Sequence, residues 1–316
     1  MKKYSIAFVG LGSIGKRHIR NVAIFLSTRG YSYVIDLYRH NPIKEDIDTD
    51  ILEIITSVYD SNDVIPSDVE YDIVFVTNPT SLHENTVEKF LNHTKSFFIE
   101  KPVFNRTDIS ESLLKNLSST ITYVACPLRY KPLIQYVKNT VDLKSSISVR
   151  AICSSFLPDW RPNQDYRMCY SAHRNMGGGV GIDLIHEWDY LTWMFGHPDI
   201  CHSIQGTISN LEIDSDDIAV YIAQIGKKVV ELHLDYYGRK EMRNLEIFLQ
   251  DETLLCDILN GDLYYQRAGR SIHFDANVQT SYLNEIEHFF DIVDGKIDSD
   301  NTVQNALEVL KLAIGL

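Results

Sequence analysis

The pattern of apolar and polar positions predicts alternating strands and helices over the first 125 residues. Residues 4–9 are a short apolar run rich in β-forming side chains, and residues 16–26 carry apolar side chains at helical spacing. Further strands are predicted at 33–38, 54–59, 72–76, 96–99 and 121–125, and a further helix at 82–91. Strands that alternate with helices are typical of a parallel, doubly wound sheet.

Beyond Cys126-Pro127 the pattern changes to longer strands that follow one another directly. Strands are predicted at 146–156, 203–211, 218–225, 228–236, 244–250 and 252–258, with a mixed-charge turn at 238–243. Helices are predicted at 133–141, 182–195, 282–293 and 303–312. We therefore predict an α/β protein with an N-terminal Rossmann domain over residues 1–125 and an α+β domain over residues 126–316, built on a large, mostly antiparallel open sheet. The C-terminal helix is expected to pack back on the first domain.

Composition narrows the classes of partner. The 316-residue chain is 44% apolar and has 30 Lys+Arg against 43 Asp+Glu, a net charge of −13, which argues against nucleic acid or an anionic membrane as the main partner. The five cysteines are scattered and form no CxxC pair, which favours a reducing compartment over a zinc or dithiol centre. With no signal-peptide or membrane-spanning pattern, we expect a cytoplasmic protein. The acidic segment 214–217 lacks the features of a calcium loop and is interpreted as a solvated turn, so no metal site is predicted.

The turn between the first strand and the first helix reads Gly10-Leu11-Gly12-Ser13-Ile14-Gly15. In a GxGxxG turn the first glycine permits the tight bend, the second lets a pyrophosphate approach the backbone, and the third lets helix and strand pack closely. The helix N-terminus offers free N–H groups and a positive dipole to the phosphates. Placed directly after a strand and before a helix, the motif predicts dinucleotide binding by Gly10, Gly12, Ser13, Ile14 and Gly15.

The end of the second strand indicates which dinucleotide is bound. In this fold an acid there reads the ribose hydroxyls of NAD, whereas a nearby arginine accommodates the 2′-phosphate of NADP. Asp36 lies near the spacing expected for the acid, while Arg39 lies at the predicted strand end and is followed by His40. We favour NADP, with Arg39 and His40 at the phosphate, because guanidinium pairs bidentately with phosphate. The alternative is NAD, with Asp36 at a ribose hydroxyl.

Four further segments line up along the chain. Residues 76–83 (VTNPTSLH) and 99–102 (IEKP) each follow a predicted strand, residues 128–132 (LRYKP) lie just after the domain boundary, and residues 177–186 (GGGVGIDLIH) precede a helix. Together with GLGSIG they resemble the Gfo/Idh/MocA family of NAD(P)-dependent oxidoreductases, which includes glucose-fructose oxidoreductase and inositol 2-dehydrogenase. The resemblance extends over nearly the whole chain. The matching segments add the following residues to the predicted cofactor site: Thr77, Asn78, Pro79, His83, Glu100 and Lys101.

The resemblance also implies the catalytic residues. Lys101 is expected beside the nicotinamide and the reacting hydroxyl, where its ammonium stabilises a developing alkoxide. His186 is expected to act as the acid/base, since a histidine changes protonation state near neutral pH. The family's aspartate usually stands four residues before this histidine, where this chain has Ile182; Asp183, three residues before, is predicted to orient His186 from the same helix face. Asp189 is the competing partner.

Residues 159–171 concentrate arginines, tyrosines, a tryptophan and acids between the boundary and the glycine triplet. Aromatic faces suit sugar C–H surfaces, and charged groups suit hydroxyls and anions. The segment resembles family members of surface-glycan biosynthesis. The candidate substrate contacts are Lys101, Arg129, Tyr130, Arg161, Arg167, Tyr170, Asp183 and His186.

The resemblance implies hydride transfer between a nicotinamide and a hydroxyl or keto carbon of a sugar, sugar derivative or nucleotide sugar. One alternative is a redox-neutral epimerase or glycosidase with tightly bound NAD. Another is a non-catalytic dinucleotide- or sugar-sensing regulator, against which the presence of both Lys101 and His186 speaks. An open sheet face favours burial against a second subunit, so a homodimer or homotetramer through the C-terminal sheet is expected.

Overall fold

Two structural units divide the chain in the computed structural model, which describes residues 2–316. Unit 1 comprises the residues up to Ala125 together with Tyr282–Leu307, and unit 2 comprises Cys126–Ser281 together with Glu308–Leu316. The first division falls where the sequence pattern changes. The second falls inside the C-terminal helix, so that Tyr282–Leu307 returns to unit 1.

The strands of unit 1, in chain order, are β1 (Lys3–Val9), β2 (Ser32–Arg39), β3 (Ser57–Asp60), β4 (Ile73–Val76), β5 (Ser96–Ile99) and β6 (Ile121–Val124). Those of unit 2 are β7 (Ser148–Phe156), β8 (Ile200–Gly206), β9 (Ile218–Ile225), β10 (Lys228–Asp235), β11 (Tyr237–Phe248), β12 (Thr253–Asp257), β13 (Asp262–Tyr265) and β14 (Arg270–His273).

The α-helices, in chain order, are α1 (Ser13–Thr28), α2 (Thr49–Ile54), α3 (His83–Phe90), α4 (Glu111–Ser118), α5 (Pro132–Thr140), α6 (Val180–Asp183), α7 (His186–Phe195), α8 (Val278–Val293) and α9 (Val303–Ala313). No helix within residues 2–316 combines the length and the apolar character needed to cross a membrane.

The sheet of unit 1 is parallel throughout, in the order β3-β2-β1-β4-β5-β6. Every side chain of β4 and β5 is buried, as expected for parallel strands covered on both faces. The strand order reverses between β1 and β4, and ligands of such sheets bind outside the carboxyl ends of the strands at that point. The predicted doubly wound Rossmann sheet is confirmed.

The predicted strand at 54–59 is partly wrong, because α2 occupies its first residue and β3 begins only at Ser57. Ile51 and Ile54 stand three residues apart, which is helical spacing, and Ile51 is fully buried. Ile54 and Ile55, taken with the apolar residues after them, imitate the start of a strand. Residues 54–56 are thus outside the strand, because they end α2 and connect it to β3.

The sheet of unit 2 has the order β14-β13-β12-β11-β7-β10-β9-β8, and only β7 and β10 pair in parallel. The predicted large, mostly antiparallel sheet is therefore confirmed. One face packs against α7, whose Trp188 and Leu191 are fully buried. The other face carries exposed side chains such as Ile204, Ile222 and Val229.

Three predictions in unit 2 are wrong in detail. Residues 238–243 lie inside β11, where the register to β7 shifts between Tyr237 and Met242, so their charges belong to an irregular part of a strand and not to a turn. β8 ends at Gly206, because the next residues turn to donate backbone N–H groups to the Asp217 carboxylate, at 2.9 Å from both Ile208 and Ser209. Asp217 is fully buried, so segment 214–217 is not a purely solvated turn.

Candidate active site

The glycine-rich turn after β1 has the shape that its sequence requires. Gly10 has a φ of +100°, and a Cβ there would lie 2.6 Å from the Asn78 backbone. A Cβ on Gly15 would lie 2.6 Å from the Gly10 carbonyl oxygen. Gly12, at the N-cap of α1, has open space where its Cβ would be. The turn thus packs tightly on its protein side and leaves room beside the first N–H groups of α1, where Ser13 and Ile14 begin the helix, for a phosphate.

The loop after β4 supports this turn. Thr77 is buried, and its hydroxyl lies 3.1 Å from the Val9 carbonyl oxygen and 3.0 Å from that of Gly10. Asn78 donates to the Thr86 hydroxyl at 2.8 Å, whereas its own Oδ1 is buried without a hydrogen-bond partner among residues 2–316. Pro79 is exposed. An orphaned acceptor beside an open phosphate cradle fits a bound ligand that supplies a donor.

His83 joins the loops that follow β4 and β5. Its ring nitrogens lie 3.0 Å from the Asn78 carbonyl oxygen and 3.1 Å from that of Val103. Burial lowers the pKa of His83, which favours a neutral ring that donates to one of these carbonyls. The predicted cofactor residue His83 therefore sits behind the loops and contacts their backbone.

The end of β2 separates the two candidate ribose readers. Asp36 accepts a hydrogen bond from the Tyr71 hydroxyl at 3.0 Å, and burial raises its pKa. Arg39 is the last residue of β2, and its Nη1 is buried with no hydrogen-bond partner in the part of the chain that the structure describes. His40 is exposed. An unpaired buried guanidinium nitrogen is costly unless an acceptor binds it, whereas the Asp36 carboxylate already has a donor.

Lys101 follows β5 and is half-buried. Its backbone N–H donates to Oε2 of Glu100 at 3.2 Å, and the Oε1 of Glu100 lies 2.6 Å from Nε2 of His18 on α1. Glu100 is 9% exposed and His18 is 0% exposed. Burial by itself would raise the pKa of Glu100, but the His18 hydrogen bond and the Lys101 charge lower it below its usual range. His18 was not predicted; its position three residues after Gly15, at an interior position of α1, was the available signal.

In unit 2 the glycine triplet leads into the catalytic candidates. A Cβ on Gly178 would lie 2.3 Å from the Tyr170 carbonyl oxygen, and Gly179 has a φ of +133°. The single helix predicted over residues 182–195 is wrong: α6 ends at Asp183, a turn follows, and α7 begins at His186. Asp183 and His186 therefore lie on either side of a break, and the predicted common face of one continuous helix does not exist.

Tyrosines surround the Asp183 carboxylate. Tyr236, which is fully buried, donates its hydroxyl to Oδ2 of Asp183 at 2.5 Å. Tyr170 lies beside the same carboxylate, and burial followed by the Asp183 charge raises the pKa of both phenols. The Trp160 ring packs edge-on against Tyr236, 5.3 Å between centroids. Tyr236 was not predicted, and nothing in the local pattern of β10 and β11 distinguishes it from a core tyrosine.

Asp189, the other candidate partner of His186, already forms an ion pair. Both carboxylate oxygens of Asp189 accept from Arg129, at 2.7 and 2.8 Å, and Arg129 is 1% exposed. Asp189 is thus held by Arg129, which favours Asp183 as the residue that orients His186. The same pair places Arg129 within the framework of unit 2 and weakens its predicted role in substrate binding. Tyr130 is buried as well.

The two arginines of segment 159–171 differ. Arg167 pairs with Asp165 and Glu212, each at 2.8 Å. Arg161 is exposed, its guanidinium lies 6.0 Å from the Tyr170 ring centroid, and no carboxylate within residues 2–316 pairs with it. Arg161 is therefore the better placed of the two to bind an anionic group. Across the same residues, no three His, Cys, Asp or Glu side chains converge in a way that could hold a metal ion.

The parallel sheet with its switch point, the open cradle at Gly12 and the unpaired atoms of Asn78 and Arg39 define unit 1 as a dinucleotide-binding domain. The family profile "Oxidoreductase family, NAD-binding Rossmann fold" (GFO_IDH_MocA) matches residues 4–120. This match covers the first domain and not the rest of the chain, so residues 4–120 are similar to the Gfo/Idh/MocA oxidoreductase family.

Known proteins and solved structures are also similar to the chain. The uncharacterized oxidoreductase YrbE of Bacillus subtilis (strain 168) is 26% identical over 198 residues, which is 62% of this chain and 54% of that protein, so the match spans about half of its length. The structure of levoglucosan dehydrogenase in complex with NADH and levoglucosan superposes with a TM-score of 0.84 at 14% identity, covering 99% of this chain and 96% of that one. The UDP-N-acetylglucosamine 3-dehydrogenase GnnA of Acidithiobacillus ferrooxidans gives a TM-score of 0.78 at 19% identity, with 99% and 96% covered. At these identities the two structures show a shared fold.

Proposed function

We propose that the protein is an NAD(P)-dependent dehydrogenase or reductase acting on a hydroxyl or keto carbon of a sugar, sugar derivative or nucleotide sugar. The observation that carries the proposal is the position of Lys101, which follows β5 at the sheet edge where the turn after β1 and the loop after β4 also lie. A lysine there stands beside the dinucleotide cradle. Its ammonium stabilises negative charge that develops on a substrate oxygen.

The chemistry divides between the cofactor and the chain. When bound, the nicotinamide accepts or supplies a hydride. Oxidation of an alcohol also requires removal of the hydroxyl proton, and we assign this transfer to His186. Asp183 orients the His186 ring, and Tyr236 in turn fixes the Asp183 carboxylate. In the reducing direction His186 returns the proton to the oxygen that Lys101 stabilises.

We infer that NADP is the preferred cofactor. Arg39 ends β2 with a buried, unpaired nitrogen, while the Asp36 carboxylate accepts a hydrogen bond from Tyr71. A 2′-phosphate would give Arg39 the acceptor that it lacks, and His40 is exposed beside it. The family profile is described as NAD-binding, and NAD stays the alternative.

Segment 159–171 supports a sugar-type substrate. Arg161 offers a cation that no carboxylate within residues 2–316 pairs with, Tyr170 lies beside Asp183, and the Trp160 ring packs against Tyr236. Such rings pack against sugar C–H faces. Levoglucosan dehydrogenase and UDP-N-acetylglucosamine 3-dehydrogenase are named for substrates of this class. Surface-glycan biosynthesis is the proposed setting.

Subunit association and location are part of the same proposal. The open face of the unit 2 sheet exposes Ile204, Ile222 and Val229, which a homodimer or homotetramer would cover. The five cysteines are free, which suits a reducing cytoplasm.

A screen of sugars and nucleotide sugars with NAD and NADP, followed by the absorbance of the reduced nicotinamide, tests the proposal. We expect stoichiometric formation or consumption of the reduced cofactor with one of these substrates. In Arg39→Ala the KM for NADP should rise about 10- to 100-fold while that for NAD changes little, because only NADP offers the phosphate. Lys3→Ala is the control, since Lys3 is an exposed cation at the start of β1, away from the carboxyl ends of the strands. Product formation without net change in the cofactor would favour the redox-neutral alternative, and a strong preference of the wild type for NAD would overturn the role of Arg39.

A further inference from the structure

The pair formed by His18 and Glu100 has no role in the function described so far. His18 lies inside α1, with its ring 4.9 Å from the Phe98 ring and 5.7 Å from the Tyr282 ring, both edge-on. Its Nε2 lies 2.6 Å from Oε1 of Glu100. Its Nδ1 is buried without a hydrogen-bond partner among residues 2–316. Nε2 is thus the only ring nitrogen of His18 with a hydrogen-bond partner among residues 2–316, and that partner is the Glu100 carboxylate.

The same carboxylate contacts the residue that follows it. Oε2 of Glu100 accepts the backbone N–H of Lys101 at 3.2 Å, and the Glu100 charge interacts with the Lys101 ammonium. Glu100 is anchored at its own backbone as well, since its N–H donates to the Val76 carbonyl at 3.0 Å. A side chain held at both oxygens and at its backbone has little freedom. Any displacement of the carboxylate would therefore alter the start of the Lys101 segment.

A purely structural role for His18 would not require a polar side chain. A buried apolar side chain in place of His18 would fill the space between Phe98 and Tyr282 without burying a polar ring. Burial of the Glu100 carboxylate and the His18 ring costs desolvation free energy, which their hydrogen bonds offset. The gain is a fixed negative charge next to the residue proposed to stabilise the substrate oxygen.

We propose that His18 is a positioning residue: by holding Glu100, it fixes the backbone and the ammonium group of Lys101 for reaction. The inference rests on the proposed function of Lys101. It assigns a role to the helix that follows the glycine-rich turn, so that α1 carries both the phosphate cradle and the support of the catalytic lysine.

The test uses the full-length protein with its lysines dimethylated with ¹³C-formaldehyde, which keeps their charge. The Lys101 resonance is assigned by its absence in Lys101→Arg. In His18→Leu we expect this resonance to move and its titration midpoint to fall, because Glu100 loses the partner that fixes it and its negative charge is no longer held beside the ammonium. His18→Gln, which can still donate to Glu100, should restore most of both. His93→Leu is the matched control, since His93 contacts the Val69 carbonyl in the same unit and does not contact Glu100.

Turnover gives the second measurement once the screen has supplied a substrate. We expect kcat of His18→Leu to fall about 10-fold with the Kd for the reduced cofactor nearly unchanged, as for a displaced catalytic group. A wild-type Lys101 resonance and wild-type kcat in His18→Leu would overturn the inference. If His18→Leu does not fold, Glu100→Gln takes its place, and a wild-type resonance and kcat in that variant would overturn the inference equally. If Lys101→Ala keeps its turnover, the proposed function of Lys101 fails, whatever the spectra show.

Discussion

Two buried carboxylates, one in each unit, stand next to the proposed catalytic residues and are held in different ways. Glu100 precedes Lys101 and is held by the imidazole of His18. Asp183 lies three residues before His186, across the break between α6 and α7, and is held by the phenol of Tyr236. The partner of Glu100 is a ring nitrogen, whereas the partner of Asp183 is a phenol whose raised pKa keeps it a neutral donor.

The difference matches the tasks proposed for the two acids. Glu100 supports a lysine whose charge must persist, and its lowered pKa keeps it ionised. Asp183 supports a histidine that must gain and lose a proton, and neutral donors hold an acceptor without adding a competing charge. The comparison predicts that changes at Asp183 affect turnover most and that changes at Glu100 affect acid stability.

The largest effect in this comparison is expected from Asp183→Asn. The amide keeps the shape of the side chain but removes the charge that orients and supports the His186 ring, so kcat should fall at least about 100-fold, the scale of general acid–base catalysis. Glu100→Gln should cost kcat about 10-fold, because Glu100 acts through Lys101. Steady-state kinetics of the two variants check the ranking. A larger loss in Glu100→Gln would reverse the comparison.

A smaller effect is expected from Tyr236→Phe, which removes the donor and keeps the ring. We expect kcat to fall about 10-fold and the free energy of unfolding to fall by about 1.5–3 kcal/mol, the range for a hydrogen bond to a charged group. Tyr221→Phe is the matched control, because Tyr221 is also buried in unit 2 and donates to the Ala313 carbonyl at 2.6 Å. It should lower the free energy of unfolding and leave kcat unchanged. Equal kcat losses in the two variants would show that Tyr236 acts on stability alone.

The smallest effect concerns the pH dependence of stability. The pKa of Glu100 is lower in the folded protein, so its contribution to the free energy of unfolding is fully present above the unfolded-state pKa, near the ordinary value of 4.5, and is lost as the pH falls through the lower folded value. The difference between wild type and Glu100→Gln in urea unfolding should therefore shrink as the pH falls below about 4.5. The free energies of unfolding of Tyr236→Phe and Tyr221→Phe are measured in the same series. Ionisation of the two phenols should not contribute to the difference between these variants, because the pKa values of Tyr236 and Tyr221 are both raised. A difference for Glu100→Gln that stays constant down to low pH would contradict the charge-based role.

The sequence predicted most of the strands and helices, but it did not predict the side chains that hold the proposed catalytic residues in place. The glycine turn, the strand pattern and the motif around Lys101 are local signals, since each depends on neighbouring residues. His18 and Glu100 lie 82 residues apart, and Tyr236 and Asp183 lie 53 residues apart. Neither pair can therefore be recognised from a local sequence pattern. The break between α6 and α7 was missed for a similar reason, because the apolar pattern continues across it. Arg129 was predicted to contact the substrate, and its pairing with Asp189, 60 residues away, left no local signal in the sequence.

The most direct measurement of the central claim is the turnover of Lys101→Ala and His186→Ala with the substrate found by the screen, beside the Kd of each for the reduced cofactor. We predict that both variants lose at least about 1,000-fold in kcat, while the cofactor Kd changes by less than about 3-fold, because the removed groups act on the substrate oxygen and its proton. Substantial turnover in either variant would contradict the assignment of the chemistry to these two residues.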